Sequence, residues 1–328
     1  QLMQIGKADA EGNVRFPLDA CYSLRNDISL DDLAEETLGY WSPIGYNAVD
    51  GTVEEFTGVF DGRGYTIVNM NLDKAAFNKE VDDSQLELTK QNYTSAGFFA
   101  KLGANSIVKN VKFENAVING AYSYAGVLAA EAYTADIERI EIKSATLNLK
   151  DTDVAGTVVG KNESTVVAQA FTSSSLDRVS ANVNVISPSK VFGGLVGENK
   201  GGYVVYSYAV GNIELFNEYS DLTFGGIVAK NETISATIDS RTVYSGASVK
   251  DCYTSLNFTY TTETAGNTGN IHAGMIIGTN SSYSKTETFG GQDHLQIHQL
   301  FYLEEYFLLY IHQYILQLLL QVYMIVKI

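Results

Sequence analysis

The sequence predicts an all-β protein, a right-handed parallel β-helix (solenoid) with variable loop insertions, on three observations. Its composition is that of strands and turns, with 29 glycines, 3 prolines and 21 tyrosines among 328 residues. A five-residue unit recurs six times at start-to-start spacings of 29, 31, 37, 32 and 49 residues, the range in which repeats signal stacked architectures. A second element follows four of those units, and segments such as Ile140-Glu-Ile142 and Val183-Asn-Val185 alternate with period two, as half-buried strands do.

Taken in order, residues 1–20 read as a lead-in, 21–290 as the solenoid and 291–328 as an atypical apolar tail. Within the solenoid, residues 21–72 have a pattern of their own and residues 95–288 carry the repeats. The unit is a small residue, any residue, two large apolar residues, then Gly or Ala. It appears as Ala96-Gly-Phe-Phe-Ala100, Ala125-Gly-Val-Leu-Ala129, Gly156-Thr-Val-Val-Gly160, Gly193-Gly-Leu-Val-Gly197, Gly225-Gly-Ile-Val-Ala229 and Gly274-Met-Ile-Ile-Gly278, with a divergent cousin at Gly58-Val-Phe-Asp-Gly62. The second element reads Ile107–Phe113, Ile137–Ile142, Val204–Val210 and Val249–Thr254, with a degraded form, Val166-Val-Ala-Gln, in the copy starting at 156. A repeat this short cannot bury its own apolar face, so copies must stack, pairing strands at roughly 4.8 Å around one core.

The structural repeat positions are therefore Gly62, Gly97, Gly126, Gly156, Gly160, Gly193, Gly194, Gly197, Gly225, Gly226, Gly274 and Gly278, together with Asn162, Asn199, Asn231 and Asn280, which follow the last four units by two residues. Glycine suits corners that need positive φ or a close backbone approach. An Asn at such a corner can take the left-handed conformation and bond through its amide to the same residue one coil away. These residues are expected to hold turns and bind nothing. The stretches Ser173–Lys190 and Glu232–Ser248 are expected to be insertions on loops along one side.

The opening segment carries a resemblance. The run Tyr22-Ser-Leu-Arg-Asn-Asp-Ile-Ser-Leu30, the turn Trp41-Ser-Pro-Ile-Gly45 and the turn Phe56-Thr-Gly-Val-Phe-Asp-Gly-Arg-Gly-Tyr-Thr-Ile67 resemble the start of bacterial surface proteins with GLUG repeats. Gly193-Gly-Leu-Val-Gly-Glu-Asn-Lys-Gly-Gly-Tyr-Val-Val-Tyr-Ser-Tyr-Ala-Val-Gly211 matches the repeat itself best. The likeness covers about residues 20 to 290, although Ala replaces the last Gly at Ala100, Ala129 and Ala229. It implies a parallel β-solenoid in a secreted or wall-attached, adhesin-like protein. Some members carry an immunoglobulin-cleaving protease module elsewhere in their chains.

For function, 22 basic against 38 acidic side chains give a net charge of −16, which argues against nucleic acid as a partner. No catalytic motif is recognisable: His-Glu-x-x-His is missing, and His272 is the one histidine of the repeat region. A polysaccharide lyase or glycosidase would need converging carboxylates, for which Asp27, Asp31, Asp32, Asp61, Asp151 and Asp153 are the candidates. Asp61 suits a turn cap, and Asp31-Asp32 ahead of Leu33 a short helix N-terminus. No cofactor is expected; calcium, in an acidic stalk, is the one ion to consider. Cys21 and Cys252 lie too far apart for a metal motif, and Cys252 reads as a small buried apolar residue. Tyr203, Tyr206, Tyr208, Tyr253 and Tyr260 offer flat contacts to a glycan or protein.

The expectation is thus a non-catalytic, extracellular or cell-surface module, either a monomer or part of a longer chain, that presents an elongated surface to a host or cell-surface glycan or protein. No membrane span is expected in the solenoid. The tail changes grammar after Gly291, with His294, His298 and His312 among Gln, Leu, Ile and Tyr. It reads as a segment entered by a shifted reading frame, as an amphipathic helix over Phe307–Val326, as an interrupted membrane span, or as disordered.

Overall fold

The computed structural model describes residues 1–9, 11–31, 33, 38–47, 51–83, 92–167, 170–216, 221–238, 241–261, 270–281, 287–289 and 292–294. Gln1–Ser282 form one unit and Tyr283–Ile328 another. The first is a parallel β-solenoid in which a full coil gives one short strand to each of four parallel sheets. In one such coil Val191–Gly193 belongs to sheet A, Val196–Lys200 to sheet B, Tyr203–Val205 to sheet C and Tyr208–Phe216 to sheet D. Sheets A and B begin at Ser95–Ala96 and Phe99–Leu102 and end at Asn270–Gly274 and Ile277–Ser281. Sheets C and D begin earlier, at Cys21–Ser23 and Ile28–Ser29, and end at Ser248–Lys250 and Tyr253–Thr261.

Register follows the apolar residues, since a slip of one would turn every core side chain outward. Along sheet C, Phe60 pairs with Val108, then Ile137, Leu176 and Val204, all fully buried. Along sheet A, Ala155, Phe192 and Phe224 are partners, and the two rings stack 6.2 Å apart. One cluster of buried side chains runs from Ile5 to Val228. Each repeat closes its core against its neighbours rather than within itself.

The opening segment supplies what the first coil lacks in sheet B. Ile44 and Phe56 form parallel bridges to Phe99 and Leu102. Trp41 is fully buried, stacked on Phe98 at 4.8 Å, and its indole N–H donates to the Phe98 carbonyl at 3.2 Å. Residues 1–20 also join the stack: Ile5 is buried in the main cluster and bridges Phe16.

Three findings depart from the sequence reading. A helix, Lys74–Asp83, follows the strand Asn71–Asp73; the Asp73 carboxylate accepts the Ala76 N–H at 2.8 Å, and Phe77 and Val81, one turn apart, are buried near Tyr40. Ser173–Lys190 is not a loop, because it contains the sheet C strand Ser175–Asp177 and the sheet D strand Ser180–Ser187. The insertion in that coil is an antiparallel hairpin, Thr165–Val167 with Ala170–Thr172, so Val166-Val-Ala-Gln is not a degraded second element; Leu176 fills that place. Glu232–Ser248 does hold an inserted hairpin, Ile234–Ile238 with Arg241–Ser245. Parallel pairing is described as far as Ser281; residues 282–286, 290 and 291 lie outside the described residues.

The second unit is described only at Glu287–Phe289 and Gln292–His294, an antiparallel pair. The readings of the tail, with His298 and His312, lie outside the described residues, as do Asp32 and the stretch after Leu33.

Candidate functional site

The repeat glycines fall into register. Gly156, Gly193, Gly225 and Gly274 are successive partners at the end of the sheet A strands. None of the repeat glycines has positive φ, so what their places demand is space. A Cβ on Gly193 would overlap the Val196 carbonyl, and one on Gly225 the Val228 carbonyl, because the chain doubles back there into sheet B. Gly97, Gly126, Gly160, Gly194, Gly197, Gly226 and Gly278 likewise face a backbone of their own or the adjoining coil, and Gly62 faces Asn110 and Val111.

The four asparagines form one hydrogen-bonded column. The Asn162 amide donates to Asn199 Oδ1 at 2.8 Å, Asn199 to Asn231 at 2.8 Å, and Asn231 to Asn280 at 2.9 Å. Asn199 also donates to the Gly202 carbonyl at 2.9 Å, which ties the strand end to the turn into sheet C. They sit within strands, without positive φ, rather than at a left-handed corner. Asn162 and Asn199 are fully buried and Asn231 nearly so, whereas Asn280 is exposed. The preceding position is Ala132, and Asn162 Oδ1 is buried without a partner.

The left-handed corners lie elsewhere and carry bulky residues. Asn110, Arg139, Arg178, Tyr206 and Asp251 have φ of 54°, 53°, 54°, 50° and 54°, each just after a sheet C strand. Such conformations are disfavoured for residues with a Cβ. The stack enforces them, because the corner N–H still pairs with the following coil: Asn110 with Glu138 O at 3.1 Å, Arg139 with Asp177 O at 2.9 Å, Arg178 with Val205 O at 3.2 Å.

Two outward features were not foreseen. On sheet B, Lys101, Glu131, Lys161, Glu198 and Lys230 are successive partners, so charge alternates from coil to coil. A second column two residues on, Tyr133, Glu163, Lys200 and Glu232, alternates in the opposite phase. The Tyr133 ring lies 4.4 Å from Lys101 Nζ and 5.0 Å from Lys161 Nζ, and its hydroxyl donates to Glu131. Burial first, and then the Glu131 carboxylate, raise the Tyr133 hydroxyl to about 12, against the lowering pull of Lys161. Glu198, whose side chain is 10% exposed, meets Lys200 at 3.3 Å and Lys230 at 3.4 Å. Glu198→Lys would face three lysines at low exposure and is expected to destabilise the fold by about 2 kcal/mol or more, while Glu198→Gln loses only about 1 kcal/mol. Urea unfolding at low and high salt measures this, and salt should recover part of the Lys loss through screening.

The second feature is an open groove of about 760 Å³ along the corner between sheets C and D. Its floor is a chain of side-chain hydrogen bonds crossing three coils. Asp61 accepts the Arg63 N–H at 2.9 Å and the Asn110 amide at 3.0 Å, and Asn110 Oδ1 accepts from Arg139 Nε at 2.6 Å. Burial alone would raise the Asp61 carboxyl; the Asn110 amide, the Arg63 N–H and the charges of Lys109 and Arg63 outweigh it and hold the group below its ordinary value. Arg139 further pairs with Glu138 at 2.9 Å, Arg178 with Asp177, and Lys112 with Glu141 at 3.3 Å. Tyr208 lies at one end of the groove, stacked on Tyr253 at 4.8 Å. Tyr203, Tyr206 and Tyr253 are exposed; the side chain of Tyr260 lies outside the described residues.

The other candidate carboxylates are dispersed. Asp27 accepts the Thr66 N–H at 2.7 Å, Asp31 takes hydrogen bonds from Ser29 and Asn69, and Asp153 pairs with Lys190 at 2.7 Å. Asp151 sits in a turn with φ of 64°. Among the described residues no three His, Cys, Asp or Glu side chains group as a metal site. Both cysteines are free thiols; Cys21 is exposed, Cys252 is partly buried against the core, and burial pushes the Cys252 thiol up to about 11. His272 is exposed on a sheet A strand. No helix among the described residues is long and apolar enough to cross a membrane.

No family model and no solved structure matches the chain. It is similar to a halomucin of Haloquadratum walsbyi, with 26% identity over 184 residues. That match covers 49% of this chain and 2% of the halomucin.

Proposed function

We propose that this chain is a non-catalytic structural and adhesive module of a cell-surface or secreted protein, and that its coils present a repeating outer face to a glycan or protein. The observation that carries this reading is the distribution of outward chemistry. Outward polar and aromatic side chains follow one another along one corner, where Asn110, Arg139, Arg178 and Tyr206 occupy the same place on successive coils, whereas the candidate carboxylates Asp27, Asp61 and Asp153 are each held by a separate partner, Thr66, Asn110 and Lys190. Hydrolysis or elimination needs such groups to converge on one bond. The GLUG-like grammar of residues 193–211 and the partial likeness to a halomucin support a place outside the cell.

Binding of the purified chain to immobilised glycans and extracellular proteins tests the proposal. Saturable retention with no new reducing ends or unsaturated uronates is the expected result. Turnover of a bound glycan that disappears in Asp61→Asn would instead make the chain an enzyme. Melting with and without chelator is expected to give the same Tm; a fall on chelation would make the module a calcium-stabilised stalk.

A further inference from the structure

The geometry points to the corner groove between sheets C and D as a binding site for a linear, neutral glycan lying along the solenoid axis, one sugar unit per coil. This inference rests on the adhesive reading and adds the place and the chemical class of the ligand.

Length and direction come first. The groove is lined by Arg63 on one coil and by Asn110, Arg139, Arg178 and Tyr208 on the following ones. Coils pair as strands do, so four steps cover about 19 Å. That rise per coil is close to the length of one hexose in an extended chain, so a polymer along the axis would meet a similar set of groups at every unit. Tyr206 continues the row beyond Arg178: their strands are in register, both occupy the left-handed corner position, and Tyr206 is 60% exposed.

Chemistry then selects among ligands. Guanidinium, carboxamide, carboxylate and hydroxyl groups line the groove, the hydrogen-bonding set that matches adjacent sugar hydroxyls in a donor–acceptor pattern. An exposed tyrosine adds a flat face for the C–H side of a pyranose. A polyanion is disfavoured. Arg139, Arg178 and Lys112 are already paired with Glu138, Asp177 and Glu141, and the whole chain carries −16, so the long-range field repels anions. A folded protein is disfavoured as well, because a protein interface needs an apolar centre, and the one aliphatic lining residue, Ile140, is itself 1% exposed.

The groove is also preorganised. Arg139 is fixed by Asn110 behind it, Asn110 by Asp61, and the corner backbone by coil-to-coil hydrogen bonds. A ligand there orders little that is not already ordered, which favours a site made of polar contacts.

Calorimetry on the full chain with neutral oligosaccharides of two to six units, in β-1,4, β-1,3 and α-1,4 linkage, and with oligogalacturonate as the anionic probe, tests the inference. Affinity for one neutral series is expected to rise to four or five units and then level off, with little dependence on salt. Arg178→Gln and Tyr206→Ala should each weaken it at least fivefold without lowering Tm, and Lys230→Gln on sheet B should leave it unchanged. Equal affinity in those groove variants would place the glycan elsewhere and overturn the site while leaving the adhesive reading intact. Preference for oligogalacturonate would overturn the neutral class. Absence of binding to every neutral series would overturn the inference, and retention on protein surfaces alone would then define what the module holds.

Discussion

Gly225→Ala is expected to remove about 3 kcal/mol or more of stability, at the upper end of what overpacking costs, and Gly225→Val to prevent folding. The added Cβ would overlap the Val228 carbonyl and lie 2.9 Å from Ala229 N, both backbone atoms that cannot rotate away. Since Gly225 is paired with Gly193 and Gly274, relief by local shift would strain two adjoining coils. Gly246→Ala is the control, because nothing lies within 4 Å of the added carbon and its φ is not positive. That change should be neutral or slightly stabilising, through the entropy of the unfolded chain. Denaturant midpoints of the two variants separate the effects directly.

Asn199→Ala is the second large effect, expected at about 3 to 5 kcal/mol. Asn199 accepts from Asn162 and donates to both Asn231 and Gly202. Truncation leaves buried partners unsatisfied, each worth roughly 1 to 3 kcal/mol, and opens a void besides. The loss should diminish outward. Asn162→Ala removes a residue whose Oδ1 is already unpartnered, and Asn280→Ala removes an exposed end of the column. Thermal unfolding should therefore rank the variants Asn199, then Asn162, then Asn280. An equal loss at all three would mean that the asparagines act separately rather than as a column.

What could be read from the sequence was whatever each coil repeats in a short stretch. The small–x–apolar–apolar–small unit and the Asn two residues later recur with fixed internal spacing, so their stacking follows from identity alone. The charge columns were hidden because alternation exists only between partners 30 to 37 residues apart, such as Lys161 and Glu198, and the interval varies with the insertions. The hairpin around Val166 was misread because two adjacent valines resemble the apolar pair of a second element, and only Leu176 on the far side closes the core. The left-handed corner escaped for another reason. Arg139, Arg178 and Tyr206 adopt a conformation their residue types disfavour, held by hydrogen bonds to the adjoining coil that a local reading does not contain. The helix Lys74–Asp83 has too few apolar residues to announce itself and is fixed by the Asp73 cap and by Tyr40. The groove, which depends on that corner, was legible only as scattered arginines.

Coil-to-coil register is what every prediction here depends on, and disulfide trapping measures it. In a chain with Cys21 and Cys252 replaced by serine, Ser175→Cys with Tyr203→Cys joins positions paired across one step of sheet C. Ser175→Cys with Ser248→Cys joins positions two steps apart, since Ser248 pairs with Tyr203, at about 10 Å and beyond disulfide reach. Mild oxidation of the folded chain should link the first pair quickly and nearly completely and leave the second reduced. Linkage of the second pair at the rate of the first, or of neither, would contradict a stack of parallel coils in this register.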